Sequence, residues 1–218
     1  MKTAIILAAG RGERLKPITN SLPKALCQVH GIPLIEHHVI NLVGAGFEKI
    51  VINHAHLGGQ IRNHLGDGAK YGVQISYSPE PPGGLETGGG IYNALPLIGS
   101  KHFAAINADI FTDYDYTKLQ ITLEKDVHLV LVKKPSYKSN GDFSLQQNGL
   151  VGNDTHEYTY TGIAIYHTSV FDTFKPGRYS LTPILRHLVH NEKVTGEVYQ
   201  GNWSDIGTIE RLRDANKT

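Results

Sequence analysis

A single cysteine, Cys27, stands in the 218 residues, so no disulfide can close within the chain, and a reducing cytoplasmic setting is expected. An excess of one charge is lacking as well. Lys and Arg number 21 against 20 Asp and Glu, a formal net charge of +1, so no overall field draws the chain to nucleic acid or to an anionic membrane. No basic patch is interleaved with aromatics, which removes the usual nucleic-acid surface. Nothing approaches the roughly 18 consecutive apolar residues of a membrane span. The first residues, Met1 to Gly10, imitate a signal peptide, but the apolar run is short and Arg11, Glu13, Arg14 and Lys16 follow at once. They read as a buried first strand. Neither nucleic acid nor membrane is expected as a partner, and any anion must be held by local groups.

What is present is ordinary globular composition, 40% hydrophobic and 19% charged, in a length suited to one core and a single domain. Apolar runs at 3–8, 49–53, 73–77, 103–107 and 128–132 predict strands. Pro33 opens a predicted helix with Ile35, Val39, Leu42 and Val43 on one face, and a second helix is expected over 57–65. A loop over 79–87 and the run Gly88-Gly89-Gly90 should lead into a third helix through Ala94-Leu95, and one more helix should precede the strand at 128. The order implies an α/β fold with a doubly wound, mostly parallel, Rossmann-like sheet and a ligand crevice at the carboxyl ends of its strands. The second half is less regular: strands at 158–166 and 194–203, a helix at 180–189 and a last helix capped by Thr208. It reads as a small lid joined to the sheet.

Gly10-Arg11-Gly12-Glu13-Arg14 follows the first strand directly. Glycines there let backbone N–H groups approach phosphate, or else make a tight strand-to-helix turn. The pattern is no dinucleotide fingerprint, because Leu15 stands where a third glycine belongs, and no P-loop, because no Gly-Lys-Ser/Thr follows. The wider stretch is Leu7-Ala8-Ala9-Gly10-Arg11-Gly12-Glu13-Arg14-Leu15-Lys16-Pro17-Ile18-Thr19, then Pro23-Lys24. It closely resembles the signature of the sugar-phosphate nucleotidyltransferases. The resemblance implies that Leu7, Ala8, Gly10, Arg11 and Gly12 wrap a nucleoside triphosphate, and that Arg14 and Lys24 stabilise the charge of departing pyrophosphate. Attack of one phosphate on another brings anions together, so fixed cations and backbone donors lower the barrier by preorganisation.

Asp109 ends an apolar strand in Ile106-Asn107-Ala108-Asp109, and Asp205 lies in Trp203-Ser204-Asp205-Ile206-Gly207-Thr208. Each has a plain alternative, a strand-end turn for Asp109 and a pre-helix cap for Asp205. Both match the family's metal aspartates, which implies a Mg2+ site, since magnesium takes a few carboxylates plus phosphate oxygens and waters.

Leu85-Glu86-Thr87-Gly88-Gly89-Gly90 occupies the place of the family's base-reading loop. Uracil needs one acceptor between donors; Thr87 and backbone groups near Gly88 are candidates, and Glu80 or a backbone carbonyl is the acceptor. Ile52-Asn53-His54-Ala55, His64-Leu65-Gly66-Asp67-Gly68 and Gly141-Asp142-Phe143 extend the resemblance to one branch, the bacterial N-acetylmuramate 1-phosphate uridylyltransferases. That implies UTP and a sugar 1-phosphate as substrates; guanylyl transfer to mannose 1-phosphate is the alternative. Residues 1–135 would take the nucleotide, 136–205 the sugar, and 206–218 form the closing helix. Asn107, Gly141, Asp142, Glu157 and Gly162 are the candidate sugar contacts, with Asn-Gly-Asp also a hairpin signal. Two departures stand out. The Glu-Lys pair of many hexose members is replaced by Glu157-Tyr158, and no β-helical extension follows Asp205, so no second activity is expected.

The 12 histidines include His37-His38 and His54-Ala55-His56, yet neither has zinc-site spacing, and they are expected to be structural. A non-catalytic sensor on the same fold could lose Arg14, Lys24 or an aspartate, and none is missing. The sequence leaves monomer and homodimer equally open.

Overall fold

The computed structural model describes residues 2–119 and 125–217. Seven strands carry the fold: β1 (Thr3–Leu7), β2 (Lys49–His54), β3 (Gln74–Pro79), β4 (His102–Asn107), β5 (Val127–Lys133), β6 (Tyr158–His167) and β7 (Val194–Tyr199). They form one sheet in the order β7-β5-β6-β4-β1-β2-β3. Only β6 runs against its neighbours, β4 and β5; the other pairs are parallel. Among the described residues five α-helices accompany them: α1 (Leu34–Gly44), α2 (Gly58–Leu65), α3 (Glu86–Ile98), α4 (Thr182–His190) and α5 (Ile209–Ala215). None of the described helices is long and apolar enough to cross a membrane.

Alternation on the central strands shows why helices cover both faces. Ala4 and Ile6 of β1 join Ile50, Ile52 and Ile106 in a core closed by Ile35, Val39 and Leu42 of α1 and Ile61 and Leu65 of α2. Ile5 points the other way, into a core with Val51, Ala105, Ile91 and Ala94 of α3 and Leu185 and Leu188 of α4. Ile5 and Ile6 are fully buried, and burial of each such side chain stabilises the fold by about 2 kcal/mol. The run that resembled a signal peptide is therefore the middle of the sheet.

Two expectations change in detail, and a third falls partly outside the described residues. Gly88, Gly89 and Gly90 do not lead into α3 but lie within it, since the helix begins at Glu86. The second half is less of a lid than its composition implied. Tyr158–His167 sends Ile163 and Ile165 to one core and Ala164 and Tyr166 to the other, so it is built into the sheet. Only short pieces stand apart, namely the pairs Ser144–Leu145 with Val151–Gly152 and Ile110–Thr112 with Trp203–Asp205. The helix expected before β5 falls partly on 120–124, outside the described residues; what is described there is a 3-10 turn, Tyr116–Lys118.

His38 behaves as a structural histidine. It is 2% exposed, with Nε2 3.0 Å from the Ile110 carbonyl and Nδ1 2.8 Å from the Tyr116 hydroxyl. These contacts pin the segment after Asp109 onto α1. Burial is the main force on its pKa, which falls from 6.5 to about 4. A histidine held neutral stabilises the fold fully above its unfolded pKa, and that contribution is lost as pH falls from 6.5 towards 4. The loss should be on the order of 3 kcal/mol at the acid end. Denaturant melts at stepped pH should show it, and His38→Gln should be less stable at neutral pH with a flatter acid limb; an unchanged acid limb would exclude His38 as its source.

Candidate active site

The six parallel strands all end on one edge of the sheet. The chain leaves β1 for β2 on one side while β4 lies on the other, so a crevice opens between the ends of β1 and β4. A cleft of roughly 370 Å3 lies there, lined by Leu7 to Arg11, Lys24, Asn53, Glu80, Gly83, Gly84, Glu86, Thr87, Asn107 to Asp109, and Arg178. Leu7, Ala8, Gly10, Arg11, Lys24, Glu80, Thr87, Asn107 and Asp109 thus converge as expected.

The loop after β1 is held by its second glycine. Gly12 is left-handed at φ 65°, its carbonyl accepting from Leu15 N and the Thr19 hydroxyl, both at 2.8 Å. A Cβ on Gly12 would sit 2.8 Å from Thr19 Cγ2 and 3.1 Å from Lys24 Cβ, so Gly12 packs the loop and places Lys24 instead of lining the cleft. At Gly10 the space a Cβ would fill is open, leaving room for a ligand to reach the backbone. Lys24 forms an ion pair with Asp109. Arg11 stands at the rim, its side chain 60% exposed. Arg14 does not line the cleft; a Cβ on Gly207 would be 2.9 Å from its guanidinium, which places it beside the Asp205 segment.

That segment comes to Asp109 through the backbone. Trp203–Asp205 pairs antiparallel with Ile110–Thr112, and Ile206 N donates to the Asp109 carbonyl at 2.7 Å. Asp205 is already engaged: Arg211 forms an ion pair with it and the Tyr137 hydroxyl donates to it at 2.6 Å. No cluster of three His, Cys, Asp or Glu side chains suited to a metal occurs among the described residues. The chain thus offers two carboxylates from distant segments, each holding a cation. This set suits an ion that takes few protein ligands and completes its shell from phosphate and water, as magnesium does.

On the wall of the cleft formed by β3 and α3, Glu80 is a hub. Its Oε1 accepts from Asn53 Nδ2 at 2.7 Å and its Oε2 from Leu85 N at 2.6 Å, while Asn53 Oδ1 accepts from Ala8 N at 2.7 Å. The ends of β1, β2 and β3 and the start of α3 are tied through this chain. Burial raises the Glu80 carboxyl above the ordinary carboxylate range, with the two hydrogen bonds pulling the other way. Both oxygens already accept bonds, so Glu80 shapes the loop first. Gly88 is not in the cleft: a Cβ there would lie 2.7 Å from the Tyr179 ring. The glycines are small for packing, not for flexibility. A Cβ on Gly89 would overlap the Gly177 carbonyl, and one on Gly90 the Glu80 carboxylate. Glu86 takes a left-handed φ of 59°, a strained setting for a non-glycine residue, and pairs with Arg178 at 3.2 Å.

The sugar-side candidates separate. Glu157 lines a second cleft of roughly 870 Å3 at the same sheet edge, with Lys133, Lys134, Tyr158 and Trp203. Gly162, at φ 84°, sits in the irregularity of β6 between Tyr160 and Ile163, and a Cβ on it would be 2.6 Å from Asn107 Nδ2. Gly162 therefore seats Asn107 and does not itself face the cleft. Gly141 is enclosed, since a Cβ would meet the Tyr158 and His156 carbonyls at 2.5 and 2.6 Å. Asp142 lines neither cleft. Its Oδ2 accepts from Tyr160 N at 3.0 Å and Lys138 Nζ at 3.2 Å, so its carboxylate holds the turn against β6.

The fold is shared with solved proteins. One from Bacillus anthracis superposes with a TM-score of 0.87 at 24% identity, covering 100% of this chain and 94% of that one. HddC from Yersinia pseudotuberculosis gives a TM-score of 0.81 at 22% identity over 100% and 99% of the two chains. Residues 3–218 match the Nucleotidyl transferase family. The chain belongs to it. Among curated relatives, N-acetylmuramate alpha-1-phosphate uridylyltransferase of Neisseria meningitidis serogroup B is 46% identical over 97% of this chain and 96% of its own length. The same enzyme of Caulobacter vibrioides is 31% identical over 94% and 92%. Mannose-1-phosphate guanylyltransferase of Mycobacterium tuberculosis is 27% identical over 95% of this chain and 61% of its own. The chain is thus a sugar-phosphate nucleotidyltransferase.

In this nucleotidyltransferase, sequence reasoning passed over Asn53, Arg178, Arg211 and Tyr137. Asn53 and Arg178 line the cleft, and Arg211 and Tyr137 hold Asp205. Asn53 at a strand end was visible; Arg178 was not, because its approach depends on Tyr179 N bonding the Leu85 carbonyl at 3.1 Å, a contact between distant segments. That approach gives a test. Gly89→Ala should force the 177–179 segment off α3, lowering stability by about 1–3 kcal/mol as overpacking does, and raising KM for the nucleotide. A variant with wild-type melting and kinetics would show that the segment is free to shift.

Proposed function

We propose that the chain transfers a uridylyl group from UTP to N-acetylmuramate 1-phosphate and releases pyrophosphate, with Mg2+ held by Asp109 and Asp205. The observation that carries this is a phosphate-loop cleft with Lys24 and Asp109 paired in it, in a chain 46% identical over nearly its whole length to a uridylyltransferase of that substrate. Residues 1–135 would supply most of the nucleotide cleft, 136–205 the acceptor side, and 206–218 the closing helix. Gly10 and its neighbours would lie along the triphosphate, and Lys24 would take up charge as pyrophosphate leaves; Arg14, placed beside Gly207 and outside the cleft, would act on the Asp205 corner of the site. Magnesium, when bound, would offset charge between the two phosphate groups. On the acceptor side, Lys133 and Lys134 line the second cleft beside Glu157 and would supply the cations that the missing lysine of the Glu-Lys pair does not.

Pyrophosphate release across four nucleoside triphosphates and a panel of sugar 1-phosphates tests the reading. UTP with N-acetylmuramate 1-phosphate should give the highest kcat/KM. A preference for GTP with mannose 1-phosphate would move the assignment to the activity carried by the M. tuberculosis relative's name, leaving the reaction class standing.

The charged groups give a second test. Lys24→Ala, Asp109→Ala and Asp205→Ala should each lower kcat by about 100-fold or more, and chelation of divalent metal should abolish turnover. Arg178→Ala should raise KM for UTP more than KM for the sugar 1-phosphate. Full activity of Asp205→Ala at low magnesium would remove the two-aspartate site.

A further inference from the structure

Arg211 has no part in the reaction as described, yet it occupies Asp205. Its guanidinium forms an ion pair with Asp205 Oδ1, and the Tyr137 hydroxyl donates to that same oxygen at 2.6 Å. The guanidinium lies over the Tyr137 ring, 4.6 Å from the centroid, and its Nε is 3.5 Å from the Thr208 hydroxyl. The side chains are only 17% and 27% exposed for Arg211 and Asp205, so water and salt screen the pair weakly. Arg14 comes to the same place: a Cβ on Gly207 would strike the guanidinium groups of both Arg211 and Arg14. Two arginines thus meet over one glycine beside one aspartate.

A guanidinium paired with one oxygen of Asp205 would lie close to a divalent cation on the same carboxylate, and like charges at that separation repel strongly in a half-buried setting. An unpaired carboxylate would in turn be costly there without the metal. We propose that Arg211 is an exchangeable counter-ion of the metal site: it neutralises Asp205 while no metal is bound, and metal binding releases it. This rests on the reading of Asp205 as a metal ligand. Lys24 stands in the same relation to Asp109, so each aspartate carries a resident cation. Arg211 is a positioning residue in this scheme, since it acts on the metal through Asp205. A salt bridge that merely fastened α5 would make the opposite demand, because its removal would loosen the helix and leave metal affinity unchanged.

Manganese binding to the full-length protein, followed by electron paramagnetic resonance with a non-hydrolysable UTP analogue present, separates the two. Arg211→Gln should tighten Mn2+ binding by ~10-fold, within the usual range of coupling between sites. The same substitution in an Asp205→Asn background should change it little. Affinity equal to or weaker than wild type in Arg211→Gln would overturn the exchange. If Asp205→Asn alone left Mn2+ affinity at the wild-type value, the metal assignment would fail first and the exchange with it, a pattern distinct from failure of the arginine variant alone. Should Arg211→Gln not fold, Tyr137→Phe reaches the same oxygen from a residue 52% exposed. It should tighten Mn2+ binding by ~2-fold or more, and no change would then count against the proposal.

Discussion

The ion pair between Lys24 and Asp109 joins the two halves of the site, and much of the surrounding structure serves to bring its partners together. Lys24 comes from the loop after β1, and Asp109 follows the end of β4. They meet because β1 and β4 are neighbours in a parallel sheet whose next partner, β2, lies on the other side of β1. That switch in direction opens the crevice. Gly12 then sets how the loop packs on Lys24. On the other side, Ile206 N bonds the Asp109 carbonyl and brings Asp205 to the same corner from nearly 100 residues further along the chain. The chemistry thus depends on topology first and on side chains second.

A second constraint is size. Three consecutive glycines, Gly88 to Gly90, lie in the first turns of α3, a choice that weakens a helix by about 1 kcal/mol per residue. Each glycine lets a different group approach: Tyr179 at Gly88, the Gly177 carbonyl at Gly89, and the Glu80–Asn53 pair at Gly90. The helix gives up intrinsic stability so that the segment carrying Arg178 can lie against it and so that Glu80 can tie three strand ends together. Close backbone approach here is what turns a loop, a helix and a distant turn into one wall of the cleft.

The sheet was legible because its strands are short apolar runs separated by loops rich in glycine and proline, and the phosphate loop because its motif sits directly after the first strand. Asp109 and Asp205 were legible as strand-end and pre-helix carboxylates, although nothing local showed that their backbones would touch. The glycine run misled because glycine usually marks a turn, and here tertiary packing overrode that preference. Asp142 misled for a related reason. An exposed-looking Asn-Gly-Asp gives no sign that its carboxylate will bond the backbone of Tyr160, a residue in another strand. Composition made the second half look like a lid, whereas the alternation of Ile163, Ala164, Ile165 and Tyr166 between two cores places it in the sheet.

Charge explains how such a site is stable without its ligands. A chain of net charge +1 that must bind several phosphates needs cations packed closely, and packed cations repel each other. Here three of them are matched one to one with carboxylates: Lys24 with Asp109, Arg211 with Asp205, and Arg178 with Glu86. Each partner pair joins separate stretches of chain or separate elements, so the pairs also brace the cleft walls. The exposed Arg178–Glu86 pair contributes only up to about 1 kcal/mol, and in the two less exposed pairs the attraction is largely offset by the cost of taking both charges out of water. That modesty suits the site. A carboxylate held too tightly by its resident cation would resist incoming metal, and a cation held too tightly would not turn to an incoming phosphate. The ligand-free site is therefore balanced in charge and weakly bound within itself, which lets substrate and metal replace its internal partners at small expense in stability.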